Sequence, residues 1–196
     1  MRIVAGKYRR RKLRTNPGLV TRPITDRAKE LLFENLGGEL PPLRVADVFA
    51  GTGTLGLEAL SRGAASVVFI ESDRKAHALL EENVRMLGIE DEALCWRADV
   101  FRCSFRPKGV ESLLPYDLVF FDPPYRMVPD IAPGSPLYKS LERLAREGVT
   151  SPGAELILRT PIRTEFELPP QWVRHDALGI SNMEMHRFRK GPGGTP

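Results

Sequence analysis

Short apolar runs alternate with segments of helical spacing along most of this chain, and that alternation constrains its fold more than any other feature. The runs at 43–50 ("LRVADVFA"), 66–72 ("SVVFIES"), 93–99 ("ALCWRAD"), 116–121 ("YDLVFF") and 154–160 ("AELILRT") are short and close to continuous in hydrophobicity. Such runs suit strands buried on both faces. Around and between them, residues 25–38, 55–63, 73–88 and 137–148 carry apolar side chains at helical intervals and end at glycine, a helix stop. Asp73 is placed to cap the third of these helices, with Gly88 just past its end. Two more strand candidates, 172–180 and 183–190, read as a hairpin turning at Ser181 and Asn182. Residues 100–115 read as one poor helix, and 126–135 as a loop rich in Pro and Gly. The expected fold is α/β: a doubly wound, mostly parallel, seven-stranded sheet with helices on both faces, its last two strands being the hairpin.

A length of 196 residues, 42% of them hydrophobic and 28% charged, suits one globular domain. Nothing approaches the roughly 20 apolar residues needed to cross a bilayer. The opening "MRIVAGKYRRRKL" has no apolar run or cleavage site behind its charges, so a cytoplasmic protein is expected. Cys95 and Cys103 lie eight apart and the three histidines are scattered, which points to buried free thiols and to no metal site. The net charge of +4 conceals an asymmetry: residues 1–22 hold Arg2, Lys7, Arg9, Arg10, Arg11, Lys12, Arg14 and Arg22 and no acid. A concentrated basic arm on a mildly acidic body suits a polyanion partner. Apolar residues flank these charges, so the arm is expected as a short hairpin presenting its cations along one surface. The division expected is an arm over 1–22, one domain over 23–190 and a frayed tail over 191–196.

In a doubly wound sheet, ligands bind beyond the C-terminal ends of the strands, near the switch in strand order. The first strand ends in "DVFAGTGTLG". Gly51, Thr52 and Gly53 form a turn that lets a ligand approach the backbone, and a helix starting near Leu55 offers its unpaired N–H groups there. Gly51, Gly53 and Gly56 also satisfy G-x-G-x-x-G, so a dinucleotide site stays open. The second strand ends in "IESD", where Glu71, twenty residues after Gly51, is placed to accept from two ribose hydroxyls. The third ends at Asp99, a candidate acceptor for an adenine amine. Together these ends describe a nucleoside site.

The fourth strand ends in "FFDPPY", residues 120–125. A hydride-transfer enzyme has no use for an acid, two prolines and a tyrosine there, but an enzyme that methylates an exocyclic amine does. Such a nitrogen is a poor nucleophile because its lone pair is delocalised into the ring. The Asp122 carboxylate and the Pro123 carbonyl can accept its N–H groups and leave the lone pair facing an electrophilic methyl. Pro123 and Pro124 fix their φ angles and stiffen that arrangement. Tyr125 supplies a face for an unstacked base, worth roughly 1–3 kcal/mol against the few kcal/mol of unstacking.

These motifs resemble the S-adenosylmethionine-dependent amino-methyltransferases with an Asn/Asp-Pro-Pro-Tyr/Phe motif. "MRIVAGKYRRRKL", "TRPITDRAKELLF", "DVFAGTGTLGLEALSRGA", "VVFIESDRKA" and "YDLVFFDPPY" resemble, in order, the RsmD family. The resemblance implies a Rossmann-like methyltransferase fold, S-adenosyl-L-methionine as cofactor and methylation of a guanine N2 amine in small-subunit (16S) ribosomal RNA, within a partly assembled subunit. It implies that Asp47, Phe49, Ala50, Gly51, Thr52, Gly53 and Leu55 cradle the methionine part of the cofactor, that Glu71 and Ser72 hold the ribose, and that Asp99 and Val100 hold the adenine. Asp122, Pro123, Pro124 and Tyr125 would hold the guanine, with Asp122 also bordering the cofactor. The segment 21–27 would border both sites, Arg22 being its functional side chain. The C-terminal "LGISNMEMHRFRK" follows the family only loosely.

Three other readings stand beside this one. A DNA adenine-N6 methyltransferase also uses DPPY, but such enzymes usually carry a large target-recognition domain, and no insertion here exceeds about twenty residues. An NAD-binding oxidoreductase rests on the glycines alone. A non-catalytic RNA-binding module leaves Asp122 and the glycine turn without a use.

Overall fold

The structure, a computed structural model, describes residues 1–15 and 24–192. Its elements run α1 (Asp26–Asn35), β1 (Arg44–Val48), α2 (Thr54–Ser61), β2 (Ser66–Glu71), α3 (Arg74–Leu87), β3 (Ala93–Arg97), β4 (Tyr116–Phe121), α4 (Pro136–Leu144), β5 (Thr150–Pro161), β6 (Trp172–Ile180) and β7 (Met183–Lys190). The strands form one seven-stranded sheet in the order β3-β2-β1-β4-β5-β7-β6. The pairs β1–β2, β1–β4, β2–β3 and β4–β5 are parallel, while β7 runs antiparallel between β5 and β6. From β1 the chain winds outward through β2 and β3, then returns to start again on the other side of β1 with β4. The switch point expected from the sequence therefore lies between β1 and β4.

The strands alternate strictly between two cores, which is why their sequences look continuously apolar. Val45, Val67, Phe69, Leu118, Phe120 and Ile157 pack on one face under α1, α2 and α3. Ala46, Val48, Val68, Ile70, Val119, Phe121, Leu156 and Leu158 face the other way, against α4 and the connection before β4. Local chemistry sets the helix ends. Thr25, Asp73 and Ser135 each accept an N–H from the first turn of α1, α3 and α4, and Pro136 opens α4, caps worth about 1 kcal/mol each. Gly88 ends α3 in the left-handed region at φ 65°, as its sequence position implied.

The structure departs from expectation in four segments. Residues 100–115 form turns with a 3-10 turn only at Glu111–Leu113, because Pro107, Gly109 and Pro115 interrupt any helix. There the Tyr116 hydroxyl donates to the Phe105 carbonyl at 3.0 Å, fixing the connection beneath β4. The expected loop after Tyr125 contains a 3-10 helix, Tyr125–Asp130, anchored by buried Val128 and Ile131. The helix expected over 137–148 stops at Leu144. Finally, β5 is longer than its apolar run because it pairs with both β4 and β7.

Residues 1–15 lie against the domain rather than trailing from it. A bridge pairs Arg2 with Lys12, and Ile3 and Leu13 are buried in the core under α1 and α2. Among the described residues no helix is long and apolar enough to cross a membrane, and both cysteines are free but only half-buried, not buried as expected.

Candidate active site

Spatial order turns the strand ends into a row. Along β3-β2-β1-β4 stand Asp99, Glu71, the Gly51–Thr52–Gly53 turn and Asp122. The β1 end is a tight, strained turn. Phe49 sits at φ 63°, an unusual conformation for a bulky side chain. It is held there by edge-on contacts with Phe121 and Phe101 at 5.5 and 6.2 Å between ring centroids. The turn then passes through Ala50, whose N–H donates to Ile70 at 3.1 Å.

Two glycines answer different needs in this turn. A Cβ on Gly53 would stand 2.5 Å from a Leu80 methyl, so α3 packs directly on the backbone there. A Cβ on Gly51 would meet nothing within 4 Å, so this side of the turn is open. Gly53, at φ 85°, precedes α2 with no side-chain cap, while Thr54 and Leu55 form the first positions of the helix. The residues thus fit a ligand that needs close backbone approach and N–H donors.

The acids are each held. Asp47 is buried and accepts the Gly56 N–H at 2.8 Å. Burial pushes its carboxyl up to about 8; the Gly56 bond opposes the shift, and the nearby Asp122 and Glu71 add to it. Glu71 accepts from Gly51 N–H at 2.8 Å and Asp73 N–H at 2.7 Å. It braces the glycine turn and keeps one lone pair on each oxygen for hydroxyl donors. Ser72 follows it, exposed. Asp99, also exposed, accepts from Phe101 N–H at 2.9 Å in a turn of its own. Val100 is buried, its carbonyl accepting from Ser140 Oγ at 3.1 Å and Arg143 at 2.9 Å.

At the β4 end, Asp122 N–H donates to Val48 at 3.2 Å, tying it to the strand carrying the glycine turn. Pro123 is buried, Pro124 holds φ at −50°, and half-buried Tyr125 packs on the core under α1 and α2. Asp122 looks, in sequence, like an acid with few partners, and the structure corrects this. Arg159 of β5 donates to both its oxygens, Nε to Oδ1 and Nη2 to Oδ2, each at 2.8 Å, and lies over the Tyr125 ring at 5.1 Å. Because Phe121 pairs with Leu158, Asp122 and Arg159 are the next neighbours along the same two strands. Burial works to lower the Arg159 pKa, but Asp122 outweighs it and the guanidinium is held above its ordinary range. The sequence signal for Arg159 was present: it is the charged residue near the end of the fifth apolar run, the same criterion that picked out Glu71 and Asp99.

The basic arm is docked through its backbone. Glu58 of α2 accepts from Val4 N–H at 2.8 Å and Ala5 N–H at 3.0 Å, and Ser61 Oγ accepts from Tyr8 N–H at 2.9 Å. Glu58 is itself paired with Lys29 at 3.4 Å and Arg62 at 2.9 Å, so the buried charge has compensation. Asn83 of α3 accepts from Arg14 N–H at 2.7 Å, and its amide donates to the carbonyls of Arg14 at 3.1 Å and Thr52 at 3.0 Å. One buried side chain thus joins the arm to the glycine turn. The backbone carries these contacts and leaves Arg2, Lys7, Arg9, Arg10, Arg11, Lys12 and Arg14 exposed. Of these, Arg2 pairs with Asp26 at 2.7 Å and Lys7 lies over the Tyr8 ring at 5.0 Å. Thr21 and Arg22 lie outside the described residues. Among the described residues no three His, Cys, Asp or Glu side chains are grouped to hold a metal ion.

A family model described as "Conserved hypothetical protein 95" matches residues 1–187. The "Ribosomal RNA small subunit methyltransferase D" of Haemophilus influenzae is 38% identical over 191 residues, 95% of this chain and 93% of that one. The Escherichia coli (strain K12) protein of the same name is 39% identical over 128 residues, 64% of this chain and 61% of its own length. Among solved structures, yhhF from Escherichia coli superposes with a TM-score of 0.79 at 27% identity, covering 98% of this chain and 99% of that one. An RNA methyltransferase from Salinibacter ruber, in complex with S-adenosyl-L-homocysteine, has a TM-score of 0.63 at 14% identity over 89% of this chain and 97% of its own, a likeness of fold. A glycine turn at the switch point, acids at the neighbouring strand ends and a match over nearly the whole length lead to one conclusion: the chain belongs to the Conserved hypothetical protein 95 family, that of RsmD, and has the Rossmann-like fold of S-adenosylmethionine-dependent methyltransferases.

Proposed function

We propose that this protein transfers a methyl group from S-adenosyl-L-methionine to the exocyclic N2 amine of a guanine in small-subunit ribosomal RNA, acting in the cytoplasm on a partly assembled subunit. One observation carries the reading. Asp99, Glu71, the glycine turn and Asp122-Pro123-Pro124-Tyr125 stand in that order across β3, β2, β1 and β4, the order in which adenine, ribose, methionine and acceptor base would lie in a cofactor–substrate complex.

The cofactor supplies an activated methyl on a sulfonium. Asp99 and Val100 would hold its adenine, Glu71 its ribose hydroxyls, and the backbone of Gly51 to Leu55 its methionine part. Asp122 accepts an N–H of the target amine and orients its lone pair, while Tyr125 offers its ring to the unstacked base. The bound cofactor would supply an electrophilic methyl to N2, and Asp122 would orient the amine first and then relay the proton that it releases toward solvent. Much of the rate comes from holding the two reactants in line. The exposed cations of residues 2–14 would track phosphates, and the names of the relatives support ribosomal RNA as their source.

Methyl-labelled S-adenosylmethionine, incubated with small subunits lacking the modification, with naked ribosomal RNA and with duplex DNA, tests this directly after nucleoside digestion. Label in N2-methylguanosine is expected, strongest from subunits. Label in N6-methyladenine from DNA would overturn the substrate and leave the site. Asp122→Ala is expected to abolish transfer while leaving cofactor binding measurable by calorimetry; full activity in that variant would remove the assigned role.

A further inference from the structure

Arg159 belongs to none of the groups assigned above, yet it touches both ends of the Asp122–Tyr125 motif. Its guanidinium meets the Asp122 carboxylate as a parallel fork, two bonds of 2.8 Å. Its face covers the Tyr125 ring at 5.1 Å. Both side chains of the ion pair are largely withdrawn from water, at 10% and 16% exposure, so the geometry is not a solvated surface contact. We infer that Arg159 is a positioning residue for methyl transfer: it sets the plane of the Asp122 carboxylate and seats the Tyr125 ring, and so fixes the acceptor and the platform that receive the target base. This inference rests on the function proposed above.

The chemistry of the fork favours a positioning role over a latch that must open. An ionised carboxylate offers about four lone-pair sites. The fork takes one on each oxygen and leaves one on each, in the carboxylate plane, for the amine. A single χ2 rotation of a free aspartate would sweep those sites through an arc, whereas a two-point fork stops it. Guanidinium does not deprotonate and has no acceptor, so it cannot compete with Asp122 for the amine. Arg159 also supplies the positive charge in a cluster of acids. Asp47 from β1 is close enough to Asp122 to feel its charge, and Glu71 from β2 acts on the same Asp47. Arg159 from β5 meets the Asp122 carboxylate directly and lies over the Tyr125 ring. Without the guanidinium, Asp122 would lose the fork that fixes its carboxylate plane and keep the buried Asp47 carboxyl as a neighbour.

Steady-state transfer with the full chain, using wild type, Arg159→Met and Arg159→Lys at neutral pH, tests this, with cofactor Kd and Tm measured on each variant. Arg159→Met is expected to lower kcat about 100-fold at neutral pH, the scale of a misplaced reacting group, with KM and cofactor Kd unchanged. Arg159→Lys keeps the charge but not the fork, and is expected to lose less, again in kcat; it carries the test alone if the methionine variant fails to fold. A faster Arg159→Met enzyme, a loss in that variant confined to KM or to cofactor Kd, or a lysine variant equal to wild type would each overturn the inference and leave the proposed function standing. A wild-type protein that methylates no nucleic acid would overturn that function, and the inference with it.

Discussion

At Asp47 a single buried carboxyl links the site to pH. Its one described hydrogen bond, from Gly56, does not offset the loss of water, and its pKa stands near 8 against an ordinary 3.8. Between those values the native state keeps a proton that the unfolded chain has released. The stability contribution is therefore full below about pH 4 and is lost as pH rises toward 8, by roughly 1.4 kcal/mol per pH unit for one proton. Asp47→Asn keeps an oxygen for the Gly56 N–H and removes the titration. In cofactor-free protein its stability advantage over wild type should grow from pH 4 to 8 and then level; parallel denaturation curves would mean that Asp47 is ionised in the native state. Glu71, Asp99 and Asp122 were legible as strand-end acids, and Asp47 only through the family resemblance. The partner of Asp122 was not read, although Arg159 was there to be seen: pairing across a parallel sheet depends on which strands are neighbours, and β4 and β5 are separated in sequence by a whole crossover.

Elements show the same division. The Asp73 cap of α3 was read because capping is a contact between residues three apart, and the Thr25 and Ser135 caps of α1 and α4, not read, are contacts of the same local kind. The segment over 100–115 could not, since its hydrophobic residues are placed by Phe105 and Tyr116 reaching into a core made by distant parts of the chain. The basic arm is an intermediate case. Its charge was visible, and its flanking apolar residues hinted at order, but its seat is built from Glu58, Ser61 and Asn83, which no local pattern connects to it. Asn83 is fully buried and satisfies three backbone groups on two segments. Asn83→Leu should therefore destabilise the protein by about 2–3 kcal/mol, the cost of leaving buried polar groups unpaired, measurable by urea unfolding. A loss within experimental error would mean that the arm is held by Glu58 and Ser61 alone.

Over the whole molecule, charge is segregated: exposed cations gather on residues 2–14, and the rest of the chain carries a net negative balance. A docked arm holds those cations in fixed relation to the strand-end row, so the electrostatic contribution to RNA binding should be separable from the chemistry. Replacing Arg9, Arg10 and Arg11 by glutamine should weaken binding and flatten its salt dependence by about 0.7 in log–log slope per lost phosphate contact, with cofactor affinity unaffected. An unchanged slope would return these residues to a role in solubility. The sequence alone determined the fold class, the seven strands, the glycine turn and the strand-end acids, because these rest on side-chain periodicity and on backbone rules that act over a few residues. Only the tertiary structure decided that β7 lies between β5 and β6, that Arg159 grips Asp122 and that Asn83 ties the arm to the glycine turn. Each of those is a contact between segments far apart in the chain, chosen by packing and by the need of buried polar groups for partners, and no local pattern records such a choice.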